Sequence, residues 1–269
     1  MPSAEEIVRS RSNPLYKRLK ELKAHGAGKQ LALIEGVRLL EDVRAAGAVI
    51  REVAASPRIQ RAPGGRALLR ELGRQGIVPR WMDDALLSSI SELDTSPGVL
   101  ALAERPRADE ARLFEGNPLI LVADGIQNPG NLGGLLRTAE AAGATGAYLT
   151  TGTADPFSWK ALRGSMGSAF RLPSLPVSSL DTAISRLRGR KVMTLAAVAR
   201  SPLRYDEADL RSPMALLLGG EGAGLPKAVS EAADLRVGIP MLGQVESLNV
   251  GVAAGILLFE IARQRRLAR

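Results

Sequence analysis

PLILVADGIQNPGNLGGLLRTAEAAG, residues 118–143, decides the fold. Its first half is a continuous apolar run of the kind found in strands buried on both faces of a parallel sheet. Asn128-Pro129-Gly130-Asn131 then makes a tight turn, Gly133-Gly134 permit close backbone approach, and a helical pattern follows over 132–142. Further strands are expected at AYLT (147–150), KVMTLAAV (191–198), MALLLGG (214–220) and LRVGIPM (235–241). Helical patterns at 181–188 and 225–233 separate them, and SLNVGVAAGILLFEIARQRR (247–266) closes the chain. Strands alternating with helices predict an α/β domain, a parallel sheet covered by helices with ligands at the carboxyl ends of its strands.

Upstream, residues 1–103 read as a smaller α/β unit. QLALIEG, VIREVAAS, VPRWMD and GVLALAE are its strands, and VRLLEDVRAAG and RALLRELGRQG are helices that end at Gly. A first helix over 14–24 places Leu15, Leu19 and Leu22 on one face and basic residues on the other. The polar, Pro-bracketed stretch 104–116 is the expected linker, which leaves 117–269 as the second domain.

Composition excludes several chemistries. The 269 residues contain no Cys, so no thiolate nucleophile, disulfide or Cys-based zinc site is available, and the single His25 rules out a multi-His metal centre. No metal site is expected. The net charge of +8 is shared by both halves and suits a polyanionic partner, although a GC-rich genome also raises Arg over Lys. No apolar stretch is long enough for a membrane span, and MPSAEEIVRSRSN lacks the apolar core of a signal peptide, so a cytoplasmic protein is expected.

Three loops carry more Gly and Asn than connection requires. In the first, Asn131 and Arg137 can both face the turn, although an ordinary strand–turn–helix with an Asn cap reads the same way. In the second, LLLGGEGAGLP, Gly220, Gly222 and Gly224 follow a strand with G-x-G-x-G spacing. A dinucleotide loop of that kind would need an acid about twenty residues on, where the sequence has IPMLG, and no GK[ST] marks a P-loop. In the third, IPMLGQVESLNVGVAAG, Ser247 is a plausible N-cap and Asn249 falls in the first turn of the terminal helix, with capping alone the plainer alternative.

Taken together, NPGNLGGLLRT, GGEGAGL and IPMLGQVESLNV resemble the three signature motifs of the SpoU/TrmH family, the ribose-methylating branch of the SPOUT methyltransferases. LIEGVRLLEDVRAAG resembles the small ribosomal-protein-like substrate-binding domain that precedes the catalytic domain in many ribosomal RNA members. The resemblance implies a deep trefoil knot at the carboxyl end of the sheet, S-adenosylmethionine bound within it, and a homodimer in which the catalytic Arg comes from the partner chain. It implies Gly219, Ile239 and Leu248 as cofactor contacts, with Thr150 and Thr151 as further candidates. Arg137 would activate or orient the ribose hydroxyl, and Asn131, Glu221, Ser247 and Asn249 would fill the other polar positions. Gly251 stands where a Ser often follows the third motif.

The reaction implied is methyl transfer to a ribose 2′-hydroxyl of RNA, with ribosomal RNA favoured over transfer RNA because of residues 1–103. A transfer RNA methyltransferase, a non-catalytic ribosome-assembly factor and a nucleotide-dependent oxidoreductase are the alternatives. Arg163, Arg171, Arg11, Lys17 and Arg18 are candidate RNA contacts. The cluster Arg263, Arg265, Arg266 and Arg269 suits the dipole at the end of the terminal helix. His25 reads as a surface or capping residue, and Trp81 and Trp159 as core or interface.

Overall fold

The structure is a computed structural model that describes residues 7–25, 28, 30–199 and 201–267. Arg269 and the side chain of His25 lie outside the described residues. The chain divides into two compact units, one of Met1–Pro106 with Phe157–Trp159, the other of Arg107–Pro156 with Lys160–Arg269.

The first unit runs α1 (Pro14–His25), β1 (Leu31–Glu35), α2 (Val37–Ala45), β2 (Ile50–Ala55), a 3-10 turn at 57–60, α3 (Gly65–Arg74), β3 (Arg80–Trp81), α4 (Asp84–Ser88) and β4 (Val99–Glu104). Its sheet has the order β1-β4-β2-β3, with β4 antiparallel to both neighbours. The centre falls to β4 because VLALAE is apolar on both faces. Leu15, Tyr16 and Leu19 of α1 enter a core with Leu33, Met82, Leu87, Leu100 and Leu102, against which Trp159 packs. The basic face of α1 is therefore turned outward, with Lys17 and Arg18 exposed.

In the second unit, a 3-10 turn at 110–114 precedes β5 (Leu119–Asp124), α5 (Pro129–Ala141), β6 (Gly146–Thr150), α6 (Trp159–Ser165), α7 (Ser168–Arg171) and β7 (Ser174–Val177). The chain continues through α8 (Leu180–Gly189), β8 (Met193–Ala197), β9 (Met214–Gly219), α9 (Lys227–Ala232), β10 (Leu235–Val237) and α10 (Val250–Leu267). The six strands lie in the order β10-β8-β9-β5-β6-β7 and every pairing is parallel. Chain order reverses direction between β5 and β9, and such a switch point opens a crevice at the carboxyl ends. Within the stretch expected as linker, Leu113 of the 3-10 turn is fully buried in this unit's core beside Ile120, Val122 and Tyr148.

Four local expectations change. LPSLPV contains β7, an edge strand whose Pro176 disguised it, since Pro is tolerated only where one side of the ladder is free. β10 stops at Val237, because Gly238-Ile239-Pro240 leaves the sheet. The terminal helix starts at Val250, and its cap is Asn249 rather than Ser247: Asn249 Oδ1 accepts the Gly251 amide at 2.9 Å, and its carbonyl accepts from Ala253. Arg265 is not a free cation at the helix end. Half-buried, it donates to the carbonyls of Asn117 at 2.9 Å, Pro118 at 2.9 Å and Ser212 at 2.6 Å, tying α10 to the entries of β5 and β9.

That clamp yields a stability prediction. Arg265→Ala leaves three carbonyls without their charged donor, which should cost about 3 kcal/mol in urea unfolding. A loss below about 0.5 kcal/mol, the scale of an ordinary surface substitution, would show that the clamp is passive. Among the described residues no helix is long and apolar enough to cross a membrane, and no cluster of His, Asp and Glu could hold a metal ion.

Candidate active site

The carboxyl ends of β8, β9 and β10 frame a cleft of about 640 Å³, within the roughly 300–1,000 Å³ usual for small-molecule sites. Its floor is apolar, with Val198, Leu218, Val237 and Leu257. Its rim is the glycine loop 219–225 on one side and Ile239, Met241 and Ser247–Val250 on the other. Among the described residues, Glu221 is the one charged residue in the lining.

The glycine loop is shaped by close approach. A Cβ on Gly219 would lie 2.0 Å from the carbonyl carbon of Gly224, so only Gly lets the loop fold back on its own strand. A Cβ on Gly220 would lie 2.6 Å from the Gly125 carbonyl oxygen, which seats this loop against the one after β5. The Gly224 amide closes the turn on the Gly220 carbonyl at 2.9 Å. Across the switch point, Asn131 Nδ2 donates to Glu221 Oε1, joining the first and second loops by their polar side chains.

Asn131 reaches that partner because Asn128, one turn before it, caps α5. Asn128 Oδ1 accepts from the amides of Gly130 at 2.9 Å and Asn131 at 3.3 Å, and Pro129 occupies the first helical position. Downstream, α6 crosses α5 at a glycine contact, where a Cβ on Gly133 would lie 2.3 Å from the Ala161 carbonyl oxygen. Arg163, two residues after Ala161, is exposed and has no acidic partner among the described residues.

Of the expected cofactor contacts, Gly219, Ile239 and Leu248 line the cleft together with Glu221, Ser247 and Asn249. Thr150 and Thr151 do not. β6 lies on the far side of β5 from β9, and Thr150 is buried there, donating to Asp124 Oδ1 at 2.6 Å. Arg137 is exposed on α5 and lies outside the lining of the cleft, without an acidic partner among the described residues. Arg171 is held by Glu140 through two bonds of 2.6 and 2.9 Å, and its hydrogen bond is the first cause holding the Glu140 carboxyl below its ordinary value. Arg18 is bound to Glu52 at 2.9 Å, whereas Lys17 and Arg11 are exposed.

Sequence reasoning passed over the walls supplied by Ala197–Ala199 and by Ala253 and Leu257 of α10. The signal available for the first was the end of a predicted strand, where ligands of parallel sheets bind. A neighbouring groove of about 650 Å³ lies between Ala199, Ser201, Pro202 and Arg204 on one side and segment 238–246 on the other, and shares Ala199, Ile239 and Met241 with the cleft.

Sheet and cleft together define an α/β protein that takes a small ligand at the carboxyl edge of a parallel sheet. The chain belongs to the SpoU rRNA Methylase family, whose model matches residues 118–259. A 23S rRNA (guanosine(2553)-2′-O)-methyltransferase, RlmP, of Bacillus subtilis (strain 168) is 32% identical over 229 residues, covering 85% of this chain and 87% of the relative. Among solved structures, the SpoU methyltransferase AviRb of Streptomyces viridochromogenes in complex with AdoMet superposes with a TM-score of 0.82 at 28% identity, over 96% of this chain and 100% of that one. An AdoMet-bound rRNA methyltransferase of Sinorhizobium meliloti gives 0.82 at 30% identity, over 95% and 97% of the two chains.

Proposed function

We propose that this protein transfers a methyl group from S-adenosylmethionine to the ribose 2′-hydroxyl of a nucleotide in ribosomal RNA. The observation that carries the reading is the cleft, an apolar, glycine-rimmed cavity lined by the second and third family motifs, which Asn131 of the first motif reaches through its hydrogen bond to Glu221. The cavity fits the cofactor by its chemistry: backbone groups and apolar side chains for the adenosine, and the Glu221 carboxylate, an anion compatible with a sulfonium. When bound, S-adenosylmethionine supplies a methyl group on a good leaving group. An RNA substrate supports a cytoplasmic location. The trefoil knot belongs to the same proposal, supported by the way segments 197–199, 219–225 and 237–250 surround a single cavity.

The chain's own residues position and exclude. Gly219, Ile239 and Leu248 hold the cofactor, and the apolar floor keeps water from it. Asn131 and Glu221, already hydrogen-bonded to each other, present a fixed polar edge, with Ser247 and Asn249 opposite. The adjoining groove offers room for the target nucleoside. As the new C–O bond replaces the bond from the methyl carbon to sulfur, the ribose hydroxyl gives its proton to solvent, and a guanidinium stabilises the oxygen as an electrostatic partner rather than as a base. Arg137 is assigned that role.

Because Arg137 stands outside its own chain's cleft, the proposal includes a homodimer in which the partner copy supplies it. Support comes from α10, where Val252 and Phe259 are 52% and 51% exposed and lie seven residues apart, two helical turns along one face.

The test is methyl transfer from labelled S-adenosylmethionine to protein-free 23S rRNA and to transfer RNA, both from a strain lacking the gene. Label is expected in 23S rRNA at one nucleotide, with the adjacent phosphodiester resistant to alkali. Label confined to transfer RNA would reassign the substrate, and binding of NAD in place of S-adenosylmethionine would overturn the reaction.

A further inference from the structure

The first unit contains a cationic hollow of about 290 Å³, bounded by Pro57, Arg58, Gln60, Arg61, Arg66 and Asp84. It is built by the segment SPRIQRAPGGR, residues 56–66. Ile59 is fully buried and wedges the 3-10 turn between two glycines. A Cβ on Gly65 would lie 1.8 Å from the Ile59 carbonyl oxygen, and one on Gly98 would lie 2.6 Å from its amide nitrogen. With Ile59 turned inward, Arg58 and Arg61 are exposed at the rim. The backbone beneath them is pinned further: the Ser56 amide donates to Gly98 at 2.9 Å and the Arg58 amide to Asp84 Oδ1 at 3.0 Å. Arg66 Nε donates to the Gln60 carbonyl at 3.1 Å, which fixes that guanidinium and leaves its terminal nitrogens free to donate.

Several other arginines of this unit are neutralised. Arg18 and Arg80 share Glu52, Arg44 pairs with Glu71, and Arg51 pairs with Glu104. Neither Arg58, Arg61 nor Arg66 has an acidic partner among the described residues. The one carboxylate in the hollow, Asp84, already accepts the Arg58 amide and also stands at the start of α4. Three guanidiniums facing one carboxylate leave a local positive excess on a rigid turn, an arrangement that favours an added anion. The lining has no aromatic side chain, so it offers no platform for base stacking, whereas arginine forks match phosphate oxygens.

We infer that this hollow receives a backbone phosphate of the RNA substrate. The inference rests on the RNA reading above and places recognition on residues 56–66 as well as on the basic face of α1. A contact of this kind positions the RNA without reading its sequence.

The test uses the full chain and protein-free 23S rRNA, with affinity measured across salt from about 50 to 200 mM, where phosphate contacts are most visible. Arg58→Gln with Arg61→Gln should bind about tenfold more weakly at the lowest salt, and the slope of log affinity against log salt should become shallower by about one. Its affinity for S-adenosylmethionine should not change, since the cleft belongs to the second unit. Arg70→Gln with Arg74→Gln, an equal loss of charge on α3 outside the hollow, should keep the wild-type slope. Equal affinity and slope in the wild type and the Arg58/Arg61 variant would overturn the inference while leaving the RNA reading intact. Equal losses in the two double variants would also overturn it, because charge alone would then explain the binding. Wild-type protein that binds S-adenosylmethionine but not 23S rRNA would overturn the RNA reading itself. If the double variant is unfolded, Arg61→Gln alone decides by the same slope criterion.

Discussion

Arg137→Ala is expected to slow methyl transfer by about 10²–10³-fold, the usual consequence of removing one preorganised donor to a developing oxyanion. S-adenosylmethionine affinity should stay within a few-fold of wild type, because Arg137 is exposed on α5 and takes no part in the lining of its own chain's cleft. Single-turnover kinetics separate the two quantities, and the loss should appear in the chemical step. Stability should change little, since the side chain has no acidic partner among the described residues and its removal leaves no buried group unpaired. Near wild-type turnover on the true RNA would remove Arg137 from the mechanism. A parallel fall in cofactor affinity would place it in the cleft instead.

Gly219→Ala should have the opposite signature, weakening S-adenosylmethionine binding by about 10–100-fold in calorimetry. The added methyl carbon would lie 2.0 Å from the Gly224 carbonyl carbon and 2.3 Å from the Leu225 amide nitrogen, both backbone atoms, so the whole rim must shift. Gly222→Ala is the control. A Cβ there meets nothing within 4 Å, and its positive φ of 83° brings backbone strain without filling the cleft, so the loss of affinity should be smaller. Unchanged binding by the Gly219 variant would show that the loop is not a cofactor wall. The two damaged proteins should also rescue each other when mixed and allowed to exchange subunits. Statistical pairing gives one intact composite site in half of the dimers, and therefore about a quarter of wild-type activity. No recovery on mixing would place Arg137 and the cleft it serves on one chain.

Much of the catalytic half was legible because its strands announce themselves. β5, β6, β8 and β9 are short continuous apolar runs, and a fully parallel sheet leaves no polar face to blur them. Where Pro intervened the reading failed in both directions, losing β7 at the sheet edge and extending β10 through Pro240. Strand order is not readable from local pattern: β6 lies on the far side of β5 from β9, so Thr150, implied by the family resemblance, sits against Asp124 and outside the lining of the cleft. Ser247 and Asn249 both carry a capping oxygen, and only the backbone decides that Asn249 makes the bond. Partners distant in sequence were equally invisible: Glu52 on Arg18, Glu140 on Arg171, and the three carbonyls gathered by Arg265. The motif residues escaped this limit because each sits at a strand end, where turn chemistry is written locally.

The clamp at Arg265 also bears on the order in which the molecule is completed. α10 supplies a wall of the cleft through Ala253 and Leu257, and its far end is locked to the entries of β5 and β9. A nascent chain that has emerged only as far as β10 therefore has the sheet strands but neither the last wall nor the lock. On the proposed reading of the cleft, a chain interrupted before α10 should hold the methyl donor more weakly than the finished protein, because it lacks both that wall and that lock.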